Sequence, residues 1–141
     1  MFVVIDANEL ISLMIRGSRY AREIFLSEKI KLIAPEFIIE EFANNKEEIL
    51  LKTRKTEQEF LIALSILKDR INLVPESEFA DYMKSACSLI PLHQKDAVYF
   101  ALALKYDCPI WSEEKVLKKQ NQIKVLDTLE LYEIFRQLLD N

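Results

Sequence analysis

Apolar residues along this chain fall into two kinds of pattern that alternate from end to end. Short, mainly apolar runs at Phe2 to Ile5, Lys31 to Ala34, Ile71 to Val74, Ile110 to Trp111 and Ile123 to Leu126 have the length and continuity of strands buried on both faces. The segments between them carry apolar residues at helical spacing. Asn8 can cap a first helix through Leu10, Ile11 and Met14, which Gly17 stops, and Ser18 can cap a second with Tyr20, Ile24 and Phe25. Pro35 stands where the first position of a longer helix, EFIIEEFANNKEEILL, is expected. Thr56 and Glu59 have capping-box spacing ahead of a helix through Phe60, Leu64 and Leu67, and Pro75 precedes one with Phe79, Tyr82 and Met83. A helix opening at Asp96 carries Ala97, Phe100, Ala101 and Leu104 on one face, where two alanines allow close approach to a sheet. Pro109 cannot continue it. Thr128 caps a terminal helix with Leu131, Ile134, Phe135 and Leu138 on one side. No linker, repeat or low-complexity segment interrupts this order. It predicts an α/β fold, a three-layer α/β/α domain with a mostly parallel sheet of about five strands, spanning residues 1–141 as a single unit.

Composition narrows the chemistry. A chain of 141 residues, half of them apolar, suits one domain with a sizeable core. The single glycine, Gly17, excludes the Gly-rich turns that cradle nucleotide phosphates. One histidine, His93, and two widely separated cysteines, Cys87 and Cys108, exclude the usual four-ligand zinc patterns and a Cys-x-x-Cys redox pair. Two thiols fit a reducing compartment, no apolar run has bilayer length, and the N-terminal FVVI meets Asp6 too early for a secretory segment. The expectation is a soluble, cytoplasmic protein with no membrane partner. A net charge of −4 argues against a strongly basic nucleic-acid binder, although a basic rim around an acidic, metal-filled pocket does not show in a total.

The acids are therefore the residues to place. Asp6 follows the first strand directly. In the stretch Leu92 to Glu114, Asp96 opens a helix, and Ser112, Glu113 and Glu114 follow the strand ending at Trp111. Ligands of open α/β sheets bind outside the carboxyl ends of strands, so these carboxylates can converge in one crevice. Counting about 100° per residue along the helix after Pro35 puts Glu40 on the solvated side and Glu41 on the flank of the apolar stripe, beside Phe37. On spacing alone Glu41 is an ordinary boundary residue, Trp111 is strand-end core, and His93 is a loop residue.

The N-terminal VVIDAN, the EEF helix, KDAVYFALAL and IWSEEKVL, in this order and over essentially the whole chain, together resemble the PIN domain, the fold of metal-dependent ribonucleases that includes VapC-type toxins. The resemblance implies an acidic site at Asp6, Glu41, Asp96 and Glu114, supported by Asn8 and Ser112. It also implies an RNA substrate, an Mg²⁺ or Mn²⁺ cofactor held by the four acids, an antitoxin protein partner if the chain is a toxin, and a homodimer. Two positions depart from the family: Glu114 stands where Asp is most frequent, one methylene longer, and His93 stands where some relatives carry an acid. Phosphodiester hydrolysis gives this residue set an independent rationale. It needs an activated water and charge stabilisation on the phosphoryl oxygens, which divalent ions on hard carboxylate ligands provide. Acids gathered without cations would raise one another's pKa values.

The leading reading is a divalent-metal-dependent endoribonuclease, with the toxin of a toxin–antitoxin pair as its specific version. Lys115, Lys118 and Arg16 are candidates for substrate phosphate, though charge on a helix is usually a solvated face. The alternative is a PIN-fold RNA- or protein-binding module weakened in catalysis, motivated by Glu114 and His93. A third class, a haloacid-dehalogenase-like phosphatase, needs a second Asp where Asn8 stands. Tyr20, Phe25, Leu138 and Leu139 serve a dimer surface or the core equally well.

Overall fold

In the computed structural model, which describes residues 1–140, the chain begins with the central strand of its sheet. In chain order the elements are β1 (Phe2–Ile5), α1 (Ala7–Ile15), α2 (Arg19–Leu26), β2 (Lys31–Pro35), α3 (Ile38–Asn44), α4 (Lys46–Thr53) and α5 (Glu57–Arg70). There follow β3 (Ile71–Val74), α6 (Glu76–Phe79), α7 (Met83–Leu89), α8 (Ala97–Tyr106), β4 (Ile110–Trp111), β5 (Val125–Leu126) and α9 (Thr128–Leu139). Single 3₁₀ turns precede α7 and α8, and another, Lys115–Lys119, lies between β4 and β5.

The sheet order is β3-β2-β1-β4-β5 and every pair is parallel. The chain builds outward from β1 through β2 to β3, then returns to the other side of β1 for β4 and β5. The direction of growth reverses between β1 and β4, so their carboxyl ends flank the switch point. Val3, Val4 and Ile5 are fully buried, as a central parallel strand covered on both faces requires. α8 is buried almost all round, through Ala97, Phe100, Ala101, Leu102 and Ala103, because it packs on β1 and β2 with one side and on α7 with another. Its three alanines permit that approach. The architecture is the expected three-layer α/β/α, with the sheet entirely parallel.

Several local expectations shift by one to three residues. Asp6, not Asn8, caps α1: its Oδ1 accepts from the Glu9 N–H at 2.7 Å, leaving Asn8 exposed in the first turn. Pro35 closes β2 instead of opening a helix, and α3 starts at Ile38. The long helix is divided at Asn45, whose side-chain N–H donates to the Glu41 carbonyl at 2.8 Å and so competes with the helical ladder. Asp127, not Thr128, caps α9, with a full capping box through Glu130. The last strand is confined to Val125–Leu126. Ser18 and the Thr56–Glu59 box cap α2 and α5 as expected, and Trp111 is core. Phe25 is core too.

Thr128, relieved of capping, takes another part. Its hydroxyl accepts from the buried Trp111 indole N–H at 3.0 Å and donates to Glu9 at 3.4 Å. Replacing Thr128 with isosteric Val leaves a buried indole donor unpaired, so urea denaturation should show a loss of about 1–3 kcal/mol, while Thr128→Ser should keep most of the stability.

Candidate active site

Among the described residues only Asp6, Glu9, Ser112 and Thr128 are buried polar or charged residues; Asp6 and Ser112 directly follow β1 and β4, while Glu9 and Thr128 lie in the first turns of the helices after β1 and β5. Pairing register explains the grouping. Ile5 lies beside Trp111 and Trp111 beside Leu126, so the next residues, Asp6, Ser112 and Asp127, emerge next to one another. The Ser112 N–H continues the ladder to the Leu126 carbonyl at 3.0 Å, and the Ser112 hydroxyl accepts from the Glu114 N–H at 3.1 Å, turning the chain sharply after β4.

A cavity of about 270 Å³ opens at this edge, lined by Asp6, Ala7, Asn8, Glu41, Lys95, Asp96 and Tyr99. It brings Asp6, Glu41 and Asp96 together from β1, α3 and the start of α8. Asp96 ends a 3₁₀ turn at the N-cap position of α8 but makes no capping hydrogen bond, which leaves its carboxylate free for the cavity. Glu41 is exposed on α3, where the Phe37 ring meets the Tyr99 ring at 6.3 Å. Glu114 does not line this cavity, yet its charge is felt at both Asp6 and Asp96. Ser112 stands behind Asp6, fully buried. His93 lies in the loop before Asp96 and favours the ionised aspartate.

The basic candidates separate. Lys118 is engaged by Glu130 and Asp127, the latter at 3.7 Å, and Lys115 is exposed at the start of the turn after Glu114. Arg16 lies on a different cavity, with Glu9 and Glu113. Reading the sequence missed Lys95 and Tyr99 as lining groups. Lys95 had a signal, since it precedes Asp96, whereas Tyr99 was hidden among apolar helix residues. The Tyr99 hydroxyl accepts from the Ala7 N–H at 3.3 Å and so ties α8 to the first turn of α1. Glu9 was missed because a glutamate in a first helical turn ordinarily faces water.

Burial governs the electrostatics. Desolvation raises the Asp6 carboxyl from 3.8 to about 6, against the hydrogen bonds from the neighbouring Ser112 and from Glu9 N–H, with Asp96 and Glu114 adding to the rise. Asp96 is raised by desolvation and then by Glu114, while His93 and Lys95 oppose. Desolvation lifts Glu9 from 4.5 to about 7, with help from Glu113 and Asp6. Such crowding of acids is relieved by a cation. Among the described residues no three Asp, Glu, His or Cys side chains converge closely enough to hold one ion together. The donors are all hard oxygens, which suits an ion that keeps several waters and takes one or two carboxylates directly, as Mg²⁺ usually does.

A family model described as PIN domain matches residues 4–133. No curated protein matches the chain. No described helix is long and apolar enough to cross a membrane.

The raised carboxyls carry a sign. In the unfolded chain Asp6 and Glu9 ionise near 3.8 and 4.5, but in the fold they hold their protons to about 6 and about 7. The folded state binds more protons in that window, so stability is greatest below it and falls as pH rises through it, by on the order of 3 kcal/mol per group. In EDTA, Asp6→Asn and Glu9→Gln should therefore gain stability over the parent between about pH 4 and pH 7. Urea midpoints measured across this range check the point, and a constant difference contradicts it.

Proposed function

The chain belongs to the PIN domain family, and on that premise we propose that it is a divalent-metal-dependent ribonuclease hydrolysing RNA phosphodiester bonds at Asp6, Glu41, Asp96 and Glu114. PIN domains are in general nucleases acting on nucleic acid. What carries the reading for this chain is that Asp6, Glu41 and Asp96, far apart in sequence, line one cavity at the switch point of the sheet.

One or two of Asp6, Glu41 and Asp96 would bind Mg²⁺ or Mn²⁺ directly and the rest through its water shell, with Glu114 also acting directly or through water and Asn8 and Ser112 supporting them. The bound ion supplies charge stabilisation on the phosphoryl oxygens and lowers the pKa of water. The protein's own contribution is positional. The Glu9 N–H fixes the Asp6 carboxylate through one oxygen, and the Tyr99 hydroxyl holds α8 against α1, so that Asp6 and Asp96 keep their separation. Lys95 places a cation on the rim, where an RNA phosphate can reach it. Lys115 adds an exposed charge just beyond Glu114.

A second reading, a PIN-fold module that binds RNA or protein without turnover, is favoured by one observation: Glu114 is absent from the lining of the cavity that holds the other three acids. The toxin version of the first reading adds an antitoxin partner, a homodimer and a cytoplasmic setting. A face suited to protein contact supports it, because exposed Ile62 and Ile66 line an apolar cavity of about 420 Å³ with Leu13 and Met14.

Purified protein should cleave RNA in Mg²⁺ or Mn²⁺ and lose the activity in EDTA. Asp6→Asn and Asp96→Asn should each lower the rate by about 100-fold or more, since outer-shell changes alone typically cost 10–100-fold in metal sites. Metal-dependent cleavage that survives Asp96→Asn would sink the assignment. Binding without cleavage, with turnover appearing in Glu114→Asp, decides for a weakened enzyme. Light scattering should give twice the mass of the 16.6 kDa chain; a monomeric mass removes the dimer.

A further inference from the structure

A second cavity, of about 330 Å³, lies between α1, α2 and the start of α9. Its volume is near the lower end for small-molecule sites, about 300–1,000 Å³, which suits one nucleotide unit and not a folded segment. Glu9 reaches it from α1 with only 5% of its surface exposed. One Glu9 oxygen accepts from the Thr128 hydroxyl, and the other has no partner among the described residues. No fully buried side-chain polar atom is left unpaired, so that second oxygen is the one open to the cavity. Glu113 lines the same wall and is held by the Thr128 N–H, which donates to one of its oxygens at 3.2 Å. Thr128 thus sets both carboxylates side by side.

The rest of the lining is of different character. Arg16, at the end of α1, takes part in none of the ion pairs among the described residues. Gly17 turns the chain with φ +21°, where an added Cβ would lie 2.5 Å from the Leu13 carbonyl oxygen, and this turn carries α2 and Tyr20 across the cavity. The Tyr20 ring is braced by Tyr132 at 4.5 Å between centroids.

We propose that this cavity is a nucleobase pocket that takes guanine from the RNA strand beside the cleaved bond, Glu9 and Glu113 accepting from the N1–H and N2–H donors of its Watson–Crick edge. The inference rests on the ribonuclease reading for its substrate class. Guanine is the standard base that offers two adjacent donors on that edge; adenine, cytosine and uracil each place an acceptor beside a donor. Single-stranded RNA presents this edge and a face for aromatic stacking, which Tyr20 supplies. Arg16 completes the site as a phosphate contact and disfavours the other natural occupant of a two-carboxylate wall, a guanidinium or ammonium group of a protein partner. The Glu9 N–H is the donor that caps on Asp6, so the first turn of α1 adjoins both cavities, and in the proposal one RNA strand spans them.

Two arms test it. In EDTA, titration of the protein by NMR with GMP, IMP, AMP, CMP and UMP should show GMP tightest by about 10-fold, as one bidentate base contact provides, with IMP weakened by loss of the 2-amino group. Glu9→Gln and Glu113→Gln, each shown to be folded by its own spectrum, should remove the preference. In Mn²⁺, cleavage sites on a mixed-sequence RNA should cluster next to G, and the G-to-A ratio should fall in both variants. RNA cleavage without base preference, together with equal binding of the five nucleotides, overturns the pocket and leaves the nuclease standing. GMP selectivity lost in the variants, with no RNA cleaved by the parent protein, supports the pocket and removes the nuclease. Tighter binding of an arginine dipeptide than of GMP overturns the proposal in favour of a basic protein partner.

Discussion

The constraint on which the rest of the structure depends is a carboxylate held at the end of the central strand. β1 is hydrogen-bonded on both sides and covered on both faces, so the residue that follows it cannot simply turn to water. Asp6 solves this by accepting from the first turn of α1, which gives one oxygen a fixed partner and gives the helix its cap. The cost is a carboxyl raised to about 6. A core position would normally avoid that cost, and a position meant to meet a cation would not. The other acids are arranged around this one: Asp96 spared from capping, Glu41 delivered by a helix that begins only after β2 has closed at Pro35, and Glu114 thrown outward by the turn on Ser112.

Two cavities adjoin α1, whose Ala7 and Asn8 line the first and whose Glu9 lines the second. One is lined by acids with a lysine and a tyrosine, the other by a pair of glutamates together with an arginine. Thr128 links the second to the core, since its hydroxyl joins the Trp111 indole to Glu9 while its N–H holds Glu113. Packing and charge are therefore coupled here: the largest fully buried side chain and both glutamates depend on the same residue.

Some of this was legible in the one-dimensional pattern. The five apolar runs and their alternation with helical segments determined the fold class, because a parallel strand buried on both faces must read as a continuous apolar stretch. Asp6 was legible because it directly follows such a stretch, and Asp96 because it opens an alanine-rich helix. Glu41 could be separated from Glu40 by counting around a helix, even though that helix is interrupted at Asn45. Cap positions at Asn8 and Thr128 were displaced because a cap is fixed by where the strand before it stops pairing, and the neighbouring chain decides that.

The sequence by itself determined which residue types were available: many carboxylates, one histidine, one glycine and no nucleotide-cradling turn. Those counts leave carboxylate oxygens as the most plentiful ligand groups the chain can offer. Only the tertiary structure decided which acids meet. Strand register set Asp6 beside Ser112, and the return of the chain to the far side of β1 brought β4, β5 and the start of α9 over Glu9. A glutamate in a first helical turn is solvated unless something covers it, and what covers Glu9 arrives 119 residues later. Burial at that distance is a property of topology, which local spacing does not encode.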